Sequence, residues 1–190
     1  MKKHSVLIFF CALLAVGCSE YSPKPHAYPR VIYPEKEYEL AETACPFQFE
    51  APVYSTLNPY DNSNNCWYNL VYTPFDATLH LSYVPLHQKK AVLDSLTEDA
   101  YKMVFKPHLQ RAEEIVEREI SDTTKGIYGL IYDLEGKTAT PFNFYITDGA
   151  HHFLRGSFYF NKKTNRDSVQ AIYNFLNEDI LHTIETFDFN

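Results

Sequence analysis

Glycine is scarce in this chain of 190 residues: there are six, against 11 prolines. With no internal period either, a low-complexity or repeat protein is excluded. Basic residues are in the minority. The formal net charge is −7, and no basic patch with interleaved aromatics occurs. Nucleic acid is therefore not an expected partner, nor is broad electrostatic attachment to anionic lipid. The chain has no Gly-rich phosphate loop, no G-x-S-x-G, no H-E-x-x-H and no C-x-x-C. No catalytic residue, cofactor-binding residue or metal ligand can be read from it. The expectation is a protein that is not an enzyme, carries no cofactor and has no small-molecule ligand.

Long hydrophobic runs are lacking too. Val6–Val16 is apolar but too short to cross a bilayer. Preceded by Lys2 and Lys3 and closed by Gly17-Cys18, it reads as a secretory signal. Leu14-Ala15-Val16-Gly17-Cys18 resembles a bacterial lipobox, with Ala15 standing where Leu is usual. On this reading residues 1–17 are removed, Cys18 is diacylated, and the protein is anchored to a membrane without spanning it. The alternative is an ordinary signal peptide with a chance cysteine. Residues 18–43, with Pro23, Pro25 and Pro29, read as a tether followed by an extended entry segment, and 44–190 as a single domain. Without Lys2 and Lys3 the mature chain has about −9 net charge.

Cysteine is sparse, four in all. With Cys11 in the signal and Cys18 carrying lipid, Cys45 and Cys66 remain. In an exported domain such a pair reads first as a disulfide, worth about 3 kcal/mol in the chain-entropy picture. Two buried thiols are the alternative, and a catalytic cysteine a weaker third.

What the chain has in abundance is aromatic residues, 15 Tyr and 14 Phe. They concentrate in a run of three expected strands, Ile127–Leu134, Phe142–Thr147 and His152–Phe160. Asp148-Gly149 between the last two predicts a type I′ hairpin. Earlier strands are expected at 46–52, 67–72 and 78–84, with a long loop over 53–65. Helical spacing of Val92, Leu93, Leu96, Ala100, Met103 and Val104 predicts a helix from Lys89 to Phe105, broken at Lys106 by Pro107. Beyond Pro107 two readings stay open: Leu109, Ala112, Val116 and Ile120 suit a second helix, and Val116, Arg118 and Ile120 equally suit one face of a strand; a helical turn to about Ala112 and then a strand over Glu114–Ser121 is the favoured expectation. A final helix, 167–186, carries the stripe Val169, Ile172, Tyr173, Leu176, Ile180 and Ile184, with Gly156 expected where it approaches the sheet. The class is α+β: a mainly antiparallel sheet with flanking helices, in two or three layers.

Several polar residues invite a functional reading. His151 and His152 point to opposite faces of a strand, so they read as exposed turn histidines and not metal ligands. His80 reads as a half-buried, hydrogen-bonded histidine. Asp133 and Asp148 read as turn-flanking residues. Glu113, Glu114, Glu117 and Glu119 read as a solvated charged face. Arg155, in mid-strand, is the most unusual charge. It is expected in a structural ion pair, with contact to a ligand as the alternative.

The segments Cys45-Pro46-Phe47, Cys66-Trp67, His80–Tyr83, Ala100-Tyr101-Lys102, Tyr128-Gly129, Phe144–Asp148, His152–Asn161, Asp167-Ser168 and Ile184–Phe187 run through nearly the whole mature chain. Together they resemble the gliding-motility lipoprotein GldD family of the Bacteroidetes. The resemblance implies a cell-envelope lipoprotein required for gliding. Its partners would be proteins of the gliding apparatus and the type IX secretion system, and it would act as a non-catalytic assembly or stabilising component. It would sit in the cell membrane or outer membrane through its lipid; Ser19-Glu20 after the lipid cysteine lacks an acidic surface-export run, which favours a periplasm-facing domain. The alternative function is an envelope ligand-binding or sensing domain. By element order alone the domain is also similar to the PsbP/Mog1-like sandwich.

Overall fold

Alternating apolar and polar residues build the strands of this protein, whose computed structural model describes residues 31–61, 66–136, 138–162 and 166–190. The chain divides into two units, Met1–Ile32 and Tyr33–Asn190. Of the first, only Val31 and Ile32 are described. The folded domain therefore starts at Tyr33 and not at residue 44. Much of the expected entry segment belongs to it, because residues 38–41 pair with a neighbouring strand.

The elements in order are β1 (Tyr38–Ala41), β2 (Phe47–Pro52), β3 (Thr56–Pro59), β4 (Trp67–Tyr72), β5 (Ala77–Pro85), α1 (Lys90–His108), β6 (Ala112–Asp122), β7 (Ile127–Gly136), β8 (Phe142–Thr147), β9 (His152–Phe160), α2 (Arg166–Thr186) and β10 (Asp188–Phe189). Seven strands form one sheet in the order β3-β4-β5-β9-β8-β7-β6, and β1-β2-β10 form a small second sheet. All pairings are antiparallel. The class is thus the expected α+β, with a mainly antiparallel sheet and two helices.

Side chains alternate across a strand, so the large sheet has two distinct faces. Its inner face carries Leu79, Phe144, Leu154 and Phe158, all buried. It is covered by α2, whose Tyr173, Leu176, Ile180 and Ile184 are buried, and by β2, whose Phe47 and Phe49 stack on Phe187. The outer face carries Tyr132, Tyr145 and Phe153. There α1 lies over β8, and Ala100 and Val104 close two apolar clusters with Phe153, Tyr132 and Leu134.

Several local expectations are corrected. α1 continues through Pro107 to His108; the proline sits in the last turn, where losing one backbone donor does not end the helix. The 53–65 loop contains β3. The Asp148-Gly149 turn is not type I′: Gly149 has positive φ but Asp148 does not. Asp148 instead accepts from the backbone N–H groups of Ala150, His151 and His152, which closes a longer loop. Gly156 does not receive the helix. A Cβ there would lie 2.1 Å from the Phe144 ring, so this glycine makes room for an aromatic on the neighbouring strand. Asp133 lies inside β7 and not at a turn; it accepts from the Tyr173 hydroxyl at 2.6 Å and pairs with Arg118 at 3.7 Å.

Candidate functional site

The residues singled out by sequence do not converge on one centre. Cys18 lies outside the described residues. Cys45 and Cys66 are joined by a disulfide that ties the start of β2 to the start of β4. His151 is exposed and pairs with Asp148 at 3.5 Å. His152 is not an exposed turn residue: it opens β9, shares a hydrogen bond of 2.8 Å with the Tyr83 hydroxyl and stacks on Phe189. Burial, and then the three backbone donors that outweigh it, set the Asp148 carboxyl; the net effect is a pKa below its usual range. Glu113, Glu114, Glu117 and Glu119 are exposed on β6, an edge of the large sheet. Charge along an edge strand discourages pairing with another chain. Among the described residues, no group of three or more His, Cys, Asp or Glu is placed to hold a metal ion.

Arg155 is the exception. It sits mid-strand in β9, paired with Ser82 of β5 and Tyr145 of β8. Its side chain emerges on the outer face where α1 stops covering the sheet. There it lines a shallow cleft with Met103, Asn143 and Ser157, with room for about one water molecule. Its Nη1 lies against the Met103 thioether, a weak acceptor. Among the described residues no carboxylate comes within ion-pair distance of it; the acid it feels is Asp99 of α1. The expected structural ion pair is therefore not formed. Burial disfavours the charge and pushes the guanidinium below its ordinary value, with Asp99 opposing.

The uncovered part of the outer face continues from Arg155 toward β3. Register aligns Trp67, Ser82 and Arg155 across β4, β5 and β9, and beside them Asn58, Asn69, His80 and Ser157. Tyr60 approaches both Trp67 and His80 edge-on, at 6.0 and 5.9 Å. His80 stacks on Tyr159 at 4.8 Å and shares a hydrogen bond with its hydroxyl. Burial, then the charge of Arg155, lowers the His80 pKa, favouring the neutral ring. Trp67 is 40% exposed, and Tyr60 and Met103 are each 54% exposed. Arg, Trp, Tyr and Met are the residues enriched where proteins meet.

Sequence reasoning missed a second polar centre. Asp179, in the middle of α2, is 0% exposed. It accepts from Lys36 Nζ at 2.6 Å, from Tyr38 Oη at 3.0 Å and from the Tyr54 hydroxyl. Lys36 also donates to the Phe175 carbonyl at 2.6 Å and lies 3.5 Å over the Phe175 ring. Burial first, then the hydrogen bond to Asp179 and its charge, push the Tyr38 and Tyr54 hydroxyls far above the ordinary phenol value. The available signal was an acid falling between Leu176 and Ile180 on the apolar stripe. This centre fastens the segment entering the domain onto α2. Every oxygen of Asp179 is occupied by a donor of the protein itself, so it offers nothing to a substrate.

No curated protein matches the chain. Among solved structures it is similar to the solution structure of cyanobacterial PsbP (CyanoP) from Synechocystis sp. PCC 6803, with a TM-score of 0.49 and 11% identity over 83% of this chain and 95% of that one. A family profile described as gliding motility lipoprotein GldD matches residues 18–189. The match begins at the cysteine read as lipid-bearing and runs through β10, and the chain belongs to the gliding motility lipoprotein GldD family.

Proposed function

We propose that this lipoprotein is a non-catalytic assembly or stabilising component of the cell envelope, acting with the gliding apparatus and the type IX secretion system. The family match over nearly the whole mature chain carries the reading. The disposition of the polar groups supports it: His80, His152, His182 and Asp179 are each engaged by Tyr159, Tyr83, Glu50 and the Lys36–tyrosine set. None is left facing a cleft as a general base. The small volume of the Arg155 cleft favours an assembly role over a ligand-sensing domain, since small-molecule pockets run to hundreds of cubic ångströms. The disulfide suits an oxidising compartment and a domain facing the periplasm.

Deletion of the gene and complementation with the full chain tests the reading. Loss of spreading on agar or of type IX cargo export, restored by the wild type, is expected. A deletion strain that spreads and exports normally would sink it.

A further inference from the structure

We infer that the Arg155 cleft is a docking point for a protein partner, whose Asp or Glu side chain enters beside Met103 and pairs with the guanidinium. This rests on the assembly role proposed above and names the chemistry of the partner.

Charge complementarity is the first argument. A half-buried guanidinium without a carboxylate has given up part of its hydration with no ion pair in return. Arg155 is in that state: it lies in mid-sheet, its side-chain contact is a thioether, and Asp99 is too distant to pair. Arginine presents a rigid fork suited to a carboxylate. A partner's acid would supply what the described residues omit.

Size is the second argument. With room for about one water, the cleft takes a carboxylate oxygen and not a sugar ring or a metabolite. The acid must therefore be carried on something held elsewhere. The surface beside the cleft provides that hold. Trp67, two strands from Arg155 in the same row, lies about 10 Å away by strand spacing. Trp67, Tyr60 and Met103 are exposed around it. Apolar and aromatic anchors around one buried charge make the usual energetic centre of a protein interface.

The test uses the full lipidated chain in cells, with Tyr60 replaced by a photoactivatable phenylalanine. Irradiation is expected to give a protease-sensitive adduct whose partner peptide contains Asp or Glu. Arg155→Glu should lower its yield about tenfold or more. Met103→Glu, at an exposed position, should do the same without lowering the melting temperature, because its carboxylate pairs with Arg155 from within the chain; it decides the matter if Arg155→Glu does not fold. Reversing the partner's acid to Arg should restore the adduct with Arg155→Glu. Several results overturn the inference: an adduct indifferent to both substitutions, an adduct that resists protease and yields to glycosidase, or no adduct from the Tyr60-probe chain, otherwise unsubstituted, that still purifies with a large envelope assembly. That last result spares the assembly role. A wild-type chain that purifies alone removes both.

Discussion

Asp179 is a buried carboxylate whose three donors, Lys36, Tyr38 and Tyr54, lie 143, 141 and 125 residues earlier in the chain. Its removal leaves the Lys36 ammonium and two tyrosine hydroxyls without their acceptor. Asp179→Ala is expected to cost about 3–5 kcal/mol, measured by urea unfolding of the soluble domain. The tyrosines around it should behave differently. Tyr54 donates to the charged group, so Tyr54→Phe should cost about 1.5–3 kcal/mol. The Tyr72 hydroxyl is buried with no hydrogen-bond partner among the described residues. Tyr72→Phe removes an unsatisfied group and should be neutral or stabilising. A loss equal to that of Tyr54→Phe would contradict this. The phenols also set an alkaline limit. Their pKa values are raised in the folded state, so above the ordinary phenol value the unfolded chain sheds protons that the folded one keeps. The stabilisation is whole below about pH 10 and declines as pH rises toward the folded-state values. Tyr54→Phe should flatten that decline in a series of unfolding curves.

At the scale of elements, Gly156→Ala sets a methyl against the ring of buried Phe144 on the neighbouring strand. Overpacking of this kind costs about 1–3 kcal/mol, visible as a lower melting temperature. The double substitution Cys45→Ser and Cys66→Ser should cost about 3 kcal/mol. The elements that were legible in sequence are those long enough to show a period: both helices, β2, β4, β5 and the β7–β9 meander. β1, β3 and β10 were not, being four, four and two residues long. Their strand character comes from a neighbour across the sheet and not from alternation. The site divides the same way. Arg155 stood out as a charge in an apolar strand, but its lack of an acid follows from register, which places Ser82 and Tyr145 beside it. The Asp179 centre joins residues 143 positions apart, beyond the reach of any local pattern.

At the scale of the whole molecule, family membership implies a lipid anchor to a membrane, and we propose from the sequence that Cys18 carries it. Cys18→Ala should move the protein from the membrane to the soluble fraction of a cell lysate; a substituted chain that stays acylated and membrane-bound would contradict this. The domain then hangs from a segment that the Lys36–Asp179 centre secures to α2, with the aromatic face around Arg155 open to a neighbour. The most direct measurement of the central claim is the mass of the native, detergent-solubilised protein isolated after cross-linking in cells. An assembly role predicts elution far above the 22.1 kDa of the chain, together with gliding and type IX secretion proteins. Elution of the wild-type chain alone, at its own mass with or without cross-linker, would contradict it.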